Sequence, residues 1–112
     1  MAFPNKQNLA AGAIPVWIAP PPDATFINVA NATAVLAKTG AGVLLGVTVN
    51  TGDSGKSVQI YDGLTAGGTL IGTYDLSAVG GPTLPPAGIP FATGLYVKPS
   101  SGSVADFTVT YA

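Results

Sequence analysis

The sequence predicts an all-β protein, an antiparallel β-sandwich or barrel-like sandwich of about seven or eight short strands. Two observations lead to this prediction. The 112 residues include 15 Gly and 10 Pro, so few stretches of helical length lack a residue that breaks helices. Short segments in which apolar and polar residues alternate recur between clusters of turn-forming residues. At this length a single domain is expected.

The chain divides into an arm and a domain. Residues 1–22 are predicted to be a Pro-rich N-terminal arm, in which Pro20, Pro21 and Pro22 form a stiff polyproline spacer. Residues 23–112 are predicted to be the β-sandwich domain. Candidate strands at 14–18 and 33–38 come first, and the window 23–39 is expected to be extended because it is rich in β-branched residues.

Alternation then defines the later strands, expected at residues 43–50, 56–62, 69–76, 94–99 and 104–111. The residues expected to share a face are Val43, Leu45, Val47 and Val49 in the first, Val58 and Ile60 (inward) in the second, Leu70, Gly72, Tyr74 and Leu76 in the third, and Phe107, Val109 and Tyr111 in the last. Residues 50–56 and 62–68 are expected to be hairpin turns. Residues 80–90 contain four prolines and are expected to be a loop at a surface or a sheet edge, because proline cannot donate to a sheet ladder.

The segment 50-NTGDSGKS-57 resembles two chemical motifs and satisfies neither. A phosphate-binding loop requires Gly where Asn50 stands and a helix after it, whereas an alternating segment follows. A serine-protease nucleophile at Ser54 would require a general base, and the chain has no His. A Ser–Lys pair with Lys56 would require a desolvated lysine, which a strand end does not provide. The segment is therefore interpreted as a turn, with positive φ at Gly52 and Gly55 and with Asp53 and Ser54 bonded to their own backbone.

The composition excludes several function classes. Charged residues are 8% of the chain, all of them Asp or Lys, and the net charge is −1. Without a basic cluster, nucleic-acid binding is not expected. Without Cys, His or a run of spaced carboxylates, no metal or other cofactor is expected, and no enzyme. The longest apolar run, residues 9–19, is too short to span a membrane.

The outward residues suggest how such a weakly charged domain could bind a partner. Tyr61 and Tyr96 fall on the opposite parity to the apolar residues of their strands, so they are expected to face outward, where tyrosines can bind sugars. Ordinary packing at the sheet edges is the alternative interpretation. A surface with so little charge favours a protein that is docked to something, although a small neutral monomer also fits.

The segments 43-VLLGVTVNTGDSGKSVQIYDGLTAGGTLIGTYDLS-77 and 89-IPFATGLYVKPSSGSVADFTVTYA-112 resemble a group of small structural proteins of tailed bacteriophages. The resemblance lies in the strand and turn pattern GVTVN, IYDG, GTLIGT, FATGLYV and VTY, and it names no functional residues. It implies a β-sandwich in the virion, either a capsid decoration (cement) protein or a small head or tail fibre module, commonly a homotrimer.

The expected function is therefore structural. The chain is expected to bind the major capsid protein on the outer capsid surface as a homotrimer and to stabilise the shell. The alternative is a host- or glycan-binding module of a head or tail fibre. The residues expected to contact the partner belong to the arm and to the loop 80–90: Phe3, Pro4, Trp17, Pro20, Pro21, Pro22, Pro82, Leu84, Pro85 and Pro86.

Overall fold

The computed structural model describes residues 23–112, and this part of the chain is all-β. Its eight strands are β1 (Thr25–Val29), β2 (Val35–Thr39), β3 (Gly42–Thr51), β4 (Ser57–Asp62), β5 (Thr69–Asp75), β6 (Ile89–Phe91), β7 (Gly94–Pro99) and β8 (Asp106–Tyr111). They form two four-stranded sheets with the orders β1-β8-β3-β6 and β2-β7-β4-β5, and every pairing is antiparallel. The predicted sandwich is confirmed. The arm, residues 1–22, lies outside the described residues, and so does the candidate strand 14–18.

One connection differs from the prediction. Residues 62–68 do join two neighbouring strands, β4 and β5, as a hairpin. Residues 50–56 do not, because β3 and β4 belong to different sheets. This turn instead carries the chain across the sandwich. Its backbone is held against the end of β5, where Asp53 N donates to Leu76 O at 2.9 Å and Leu76 N donates to Lys56 O at 2.9 Å.

The core lies between the sheets and is built from the inward faces of the longer strands. Val58 and Ile60 of β4 are fully buried, as predicted. Phe107 and Val109 of β8 are also fully buried, and Tyr111 is 8% exposed, which confirms the predicted face. The Tyr111 hydroxyl donates to Ala37 O of the opposite sheet at 3.1 Å, so this partly polar side chain has a partner inside the sandwich.

A β-bulge near the start of β3 overturns half of one prediction. Leu44 pairs with Tyr111 and Gly46 pairs with Thr110, so one extra residue stands in β3 at this point. The bulge reverses the parity of the strand. Leu44 is consequently fully buried, while Val47 and Val49 face inward as predicted. Val43 and Leu45 were expected on the face of Val47 and Val49, and this expectation is wrong.

A second bulge changes β5. Ile60 pairs with Gly72 but Tyr61 pairs with Leu70, which leaves Ile71 as the extra residue. Ile71 packs against the core, whereas Leu70 is 46% exposed on the outer face. The expectation that Leu70 shares the side of Tyr74 and Leu76 is therefore wrong, because period-two counting fails where a residue is inserted.

The two sides of the sandwich are closed differently. On the side of β5 and β6, the loop 80–90 covers the edge of β3: Gly80 bridges to Val49 by two backbone hydrogen bonds, at 2.7 and 3.0 Å, and Leu84 packs against the core. The predicted position of this loop at a sheet edge is confirmed, but its predicted extent is wrong, because Ile89 and Pro90 belong to strand β6 and pair with β3. On the opposite side, β1 and β2 are joined by residues 30–34, and an open groove of about 430 Å³ separates them.

Candidate interaction surface

A row of four apolar or aromatic side chains crosses the outer face of the β2-β7-β4-β5 sheet. The strand register aligns Leu36 with Tyr96, Tyr96 with Tyr61, and Tyr61 with Leu70. We call these four residues the aromatic row. Their neighbours Val97 and Ile60 are fully buried, so alternation turns the row outward. Three strand spacings of about 4.8 Å give the row a length of about 14 Å.

The two tyrosines form the centre of the row. Their ring centroids lie 6.4 Å apart and the rings are tilted by 55°, a common geometry for an aromatic pair. The Tyr61 hydroxyl donates to Gln59 Oε1 at 2.8 Å, which fixes the ring orientation. Both residues are half-buried, so each ring shows part of its apolar surface to solvent. The predicted outward position of Tyr61 and Tyr96 is confirmed.

The surroundings of the row are apolar on one side and polar on the other. Gly94 lies two residues before Tyr96 on β7. A Cβ built at Gly94 would lie 2.9 Å from a methyl carbon of Leu64, whose side chain is 46% exposed. Leu64 therefore extends the apolar surface. On the other side the register places Gln59 between Lys98 and Thr73. The row itself carries no charge, and Lys98 lies two residues from Tyr96 on β7.

The exposure of its two leucines distinguishes the row from an edge of the core. Leu36 and Leu70 are 40% and 46% exposed. Scattered exposed leucines are common on protein surfaces, but contiguous apolar patches on a soluble protein are usually sites of interaction. The row can make a flat, uncharged contact with a protein surface. It can also stack against the apolar face of a sugar ring.

The predicted loop contacts have separate positions. Leu84 packs against the core, so it holds the loop to the domain, while Pro82 is half-buried and Pro85 and Pro86 are exposed. Gly88 N donates to Pro85 O at 2.8 Å, which closes a turn in the loop. The loop covers the edge of the β1-β8-β3-β6 sheet, whereas the aromatic row lies on the other sheet. Among the described residues, the predicted contact positions are therefore not gathered at the aromatic row.

The remaining predicted contacts cannot be compared with the structure. These are Phe3, Pro4, Trp17, Pro20, Pro21 and Pro22, and all of them lie outside the described residues. A shallow depression of about 260 Å³ beside the loop is lined by Asp75, Ala78, Val79, Gly81 and Pro82. Of these, Val79 is 74% exposed, so the base of the loop also presents apolar surface.

The turn 50–57 uses its polar groups to hold loops together. Asp53 Oδ2 accepts from Val104 N at 3.0 Å, rather than from the turn's own backbone as predicted. Gly55 has a φ of 75°, as predicted, whereas Gly52 is not among the described glycines with positive φ. Glycine is required at Gly52 for a different reason, since a Cβ there would lie 2.4 Å from Ser77 O. Lys56 Nζ donates to Ser101 O at 3.2 Å, so this lysine has a structural partner. A strand follows the turn, as the interpretation against a phosphate-binding loop requires.

Two further carboxylates also act within the fold. Asp62 accepts from Ala92 N at 2.9 Å and from Thr93 N at 2.8 Å. These bonds, that of Ala92 first, hold the pKa of the Asp62 carboxyl below its ordinary value. On the outer face of the other sheet, Asn28 and Asn50 donate to Asp106 Oδ1 at 2.7 and 3.1 Å. The bond from Asn28, and after it that from Asn50, lowers the pKa of Asp106.

The sequence identified part of this surface. The outward positions of Tyr61 and Tyr96 could be predicted by simple alternation, because no inserted residue separates either tyrosine from the buried apolar residues of its own strand. Leu36 and Leu70 were missed as outward residues, because each lies next to a register shift that a period of two does not reveal. Phe26, 65% exposed on the outer face of β1, was also not assigned to the surface. Its exposure depends on the pairing of β1 with β8, which a single strand's sequence does not encode.

Comparison of the chain with protein-family models, with curated proteins and with solved structures returned no match. Within residues 23–112 there is no group of three or more His, Cys, Asp or Glu side chains placed to hold a metal ion. No helix in that part of the chain is long and apolar enough to cross a membrane. The aromatic row is therefore the feature of the described surface that most directly suggests a function.

Proposed function

We propose that the chain is a structural protein of a tailed-bacteriophage virion, a decoration protein that binds the major capsid protein on the outer capsid surface. The observation that carries the proposal is the aromatic row. Its leucines are exposed, its tyrosines are half-buried, and it carries no charge in a chain of which only 8% of the residues are charged. These features suit a contact made by shape and apolar burial with a fixed partner surface. The resemblance to phage structural proteins supplies the identity of that partner.

The proposed protein acts by binding only the assembled shell. A homotrimer seated across a junction between capsid subunits gains its contact area only where those subunits meet. Binding to the assembled state stabilises it by mass action, by about 2.7 kcal/mol per site when the free protein is at 100 times its Kd. The aromatic row and the exposed part of the loop 80–90 are the described surfaces offered for this contact.

The test is addition of the purified protein to capsids that lack it, with the bound fraction measured by co-sedimentation. Tyr61→Ala removes the central ring of the row and is expected to weaken binding at least about tenfold, a loss of about 1.4 kcal/mol that is typical of a buried aromatic contact. Val104→Ser is the matched control, because Val104 is 71% exposed in the loop before β8, away from the row. Equal binding of the two variants would remove the row from the interface, and no binding of the unaltered protein would remove the proposed function.

A second function is supported by the polar side of the row. The polar side consists of Gln59, two residues from Tyr61 on β4, and its cross-strand partners Lys98 and Thr73. Hydrogen-bonding groups therefore lie beside the two aromatic rings. This combination suits a host- or glycan-binding module, in which a sugar stacks on the rings and bonds to the neighbouring polar groups. A glycan array distinguishes the two functions. Saturable binding that Tyr96→Ala abolishes favours the glycan-binding module, and an array without signal favours the decoration protein.

A further inference from the structure

An open groove lies between β1 and β2 at one side of the sandwich core. It has a volume of about 430 Å³ and is lined by residues 27–35 apart from Ala32. Ile27 and Val35 lie only partly buried against the core here, whereas Val29 is 7% exposed. The opposite side of the sandwich is closed by the loop 80–90 and Leu84. Within the described part of the chain, no loop therefore covers this side of the sandwich.

Among residues 23–112, nothing protects the edge of β1 beside this groove. In this part of the chain β1 pairs with β8 on one side only, and its sequence TFINV contains no proline and no charge. Sheet edges are usually protected by lysine, proline, a bulge or a covering loop, because their free N–H and C=O groups pair readily with another strand. The edge strand β6 contains Pro90, and β2 contains Lys38 and a register shift, so β1 differs from both.

The chain contains a segment that matches this edge. Residues 14–18, IPVWI, place Ile14, Val16 and Ile18 at alternate positions, with Pro15 and Trp17 between them. The inward residues of β1 are Thr25, Ile27 and Val29, because they pair with the buried residues Tyr111, Val109 and Phe107 of β8. In an antiparallel pairing of Val16 with Ile27, all three aliphatic residues would face the groove. Trp17 would then lie opposite Phe26, which is 65% exposed.

The position of the segment in the chain indicates which copy supplies it. The part of the chain before the described residues is 22 residues long and ends two residues before β1. For residues 14–18 to pair with their own β1, the chain would have to reverse between residue 18 and Thr25. Three of those intervening residues are the consecutive prolines 20–22, which favour an extended spacer of about 9 Å. A stiff hinge of this kind favours exchange of the segment between copies.

We propose that residues 14–18 of one copy bind as an added strand to the free edge of β1 in a second copy and cover its open groove. Each copy then donates one strand and receives one. Such a head-to-tail contact closes into a ring when its rotation allows, so it is compatible with a trimer. The proposal concerns contacts between copies and does not depend on what the assembly binds.

The test is disulfide trapping, which is clean because the chain has no cysteine. Val16→Cys and Ile27→Cys are made in separate full-length chains, which are mixed, refolded together and oxidised. Residues directly opposite in an antiparallel pair have Cα atoms about 4.5–5.5 Å apart, within the range that a disulfide spans. The expected result is conversion of about half of the chains into a covalent dimer on a non-reducing gel, because random assembly of two variants in equal amounts places the two cysteines opposite each other in only part of the contacts. The control mixture of Val16→Cys with Thr73→Cys, on the outer face of the other sheet, is expected to remain monomeric.

Two results would overturn the proposal. A double variant, Val16→Cys with Ile27→Cys, that closes its disulfide within one chain while the mixed single variants give no dimer would show that the segment covers its own groove. Dimer yields equal to those of the control mixture would show that the segment does not occupy the groove. Neither result depends on capsid binding, so failure here and failure of the proposed function are distinguishable.

Discussion

The bulge in β3 makes a prediction that two adjacent leucines can test. Simple alternation would bury Leu45 beside Val47 and expose Leu44. In the structure Leu44 is fully buried in the core, while Leu45 is on the outer face and only partly covered. Leu44→Ala and Leu45→Ala remove the same atoms from neighbouring positions of one strand. Any difference between them therefore reports which way each side chain points.

The expected difference is large. A leucine with no exposed surface loses both its transfer free energy and its packing when it is truncated, so Leu44→Ala should lower the free energy of unfolding by about 2–5 kcal/mol. Leu45→Ala should cost less than about 1 kcal/mol, because its side chain is only partly removed from water. For a domain of about 90 residues, each kcal/mol corresponds to about 4–8 °C in the unfolding temperature.

The measurement is urea unfolding and thermal unfolding of the two variants, followed by far-UV circular dichroism. A larger loss for Leu45→Ala than for Leu44→Ala would refute the bulge and restore the alternating face. Equal losses would refute the burial assigned to Leu44. A change in the urea m-value in either variant would indicate altered compactness, and the comparison would then be made at the midpoint concentrations.

Three further predictions concern the elements that hold the loops and the strands together. The folded-state pKa values of Asp62, Asp75 and Asp106 are lowered, so the stability that these carboxylates contribute is present above their unfolded pKa and is lost as the pH falls. The unfolding temperature should therefore drop between about pH 5 and pH 2. Asp62→Asn should lower the unfolding temperature at pH 7 and should make the drop in acid smaller. In β3, a Cβ at Gly42 would lie 2.2 Å from Ala112 O whereas one at Gly46 would meet nothing within 4 Å, so Gly42→Ala should lower the unfolding temperature and Gly46→Ala should not; equal effects would contradict the close approach of the C-terminus. Leu84→Ser should release the loop 80–90 and accelerate its proteolytic cleavage, while Pro86→Ala, at an exposed position, should leave the cleavage rate near that of the unaltered protein.

The sequence was sufficient for the fold class and for the strands that alternate without interruption. β4 and β8 show why: Val58, Ile60, Phe107 and Val109 are fully buried and obey a period of two throughout. The sequence was insufficient to predict which side chains face inward where a strand contains an inserted residue. The bulges at Leu45 and Ile71 change the parity within a strand, and their positions depend on the partner strand rather than on the local sequence.

The connections were predictable as turns but not as topology. The turn signal at 50–56 is as clear as that at 62–68, yet only the second joins neighbouring strands of one sheet. Glycine and aspartate describe how tightly the chain bends, whereas the choice between a hairpin and a crossing to the other sheet is made by long-range pairing. β3 pairs with β8 and β6, both of which come later in the chain. The aromatic row was likewise only half predictable. Alternation predicts that its tyrosines face outward, whereas the positions of its leucines depend on the register across four strands.

The charges of the domain explain why its interactions should depend on shape. Four aspartates accept hydrogen bonds from their own chain: Asp53, Asp62, Asp75 and Asp106. Lys56 Nζ donates to the backbone carbonyl of Ser101. Most of the described charges therefore fix loops and strands rather than keep copies apart, and the net charge of −1 adds little repulsion. The described surface offers apolar contact in the aromatic row, which is about 14 Å long, while the loop 80–90 covers the edge of β3. A contact made through the row buries apolar surface and few charges, so its affinity should change little between low and high salt, whereas a contact made through Lys98 should weaken as salt rises.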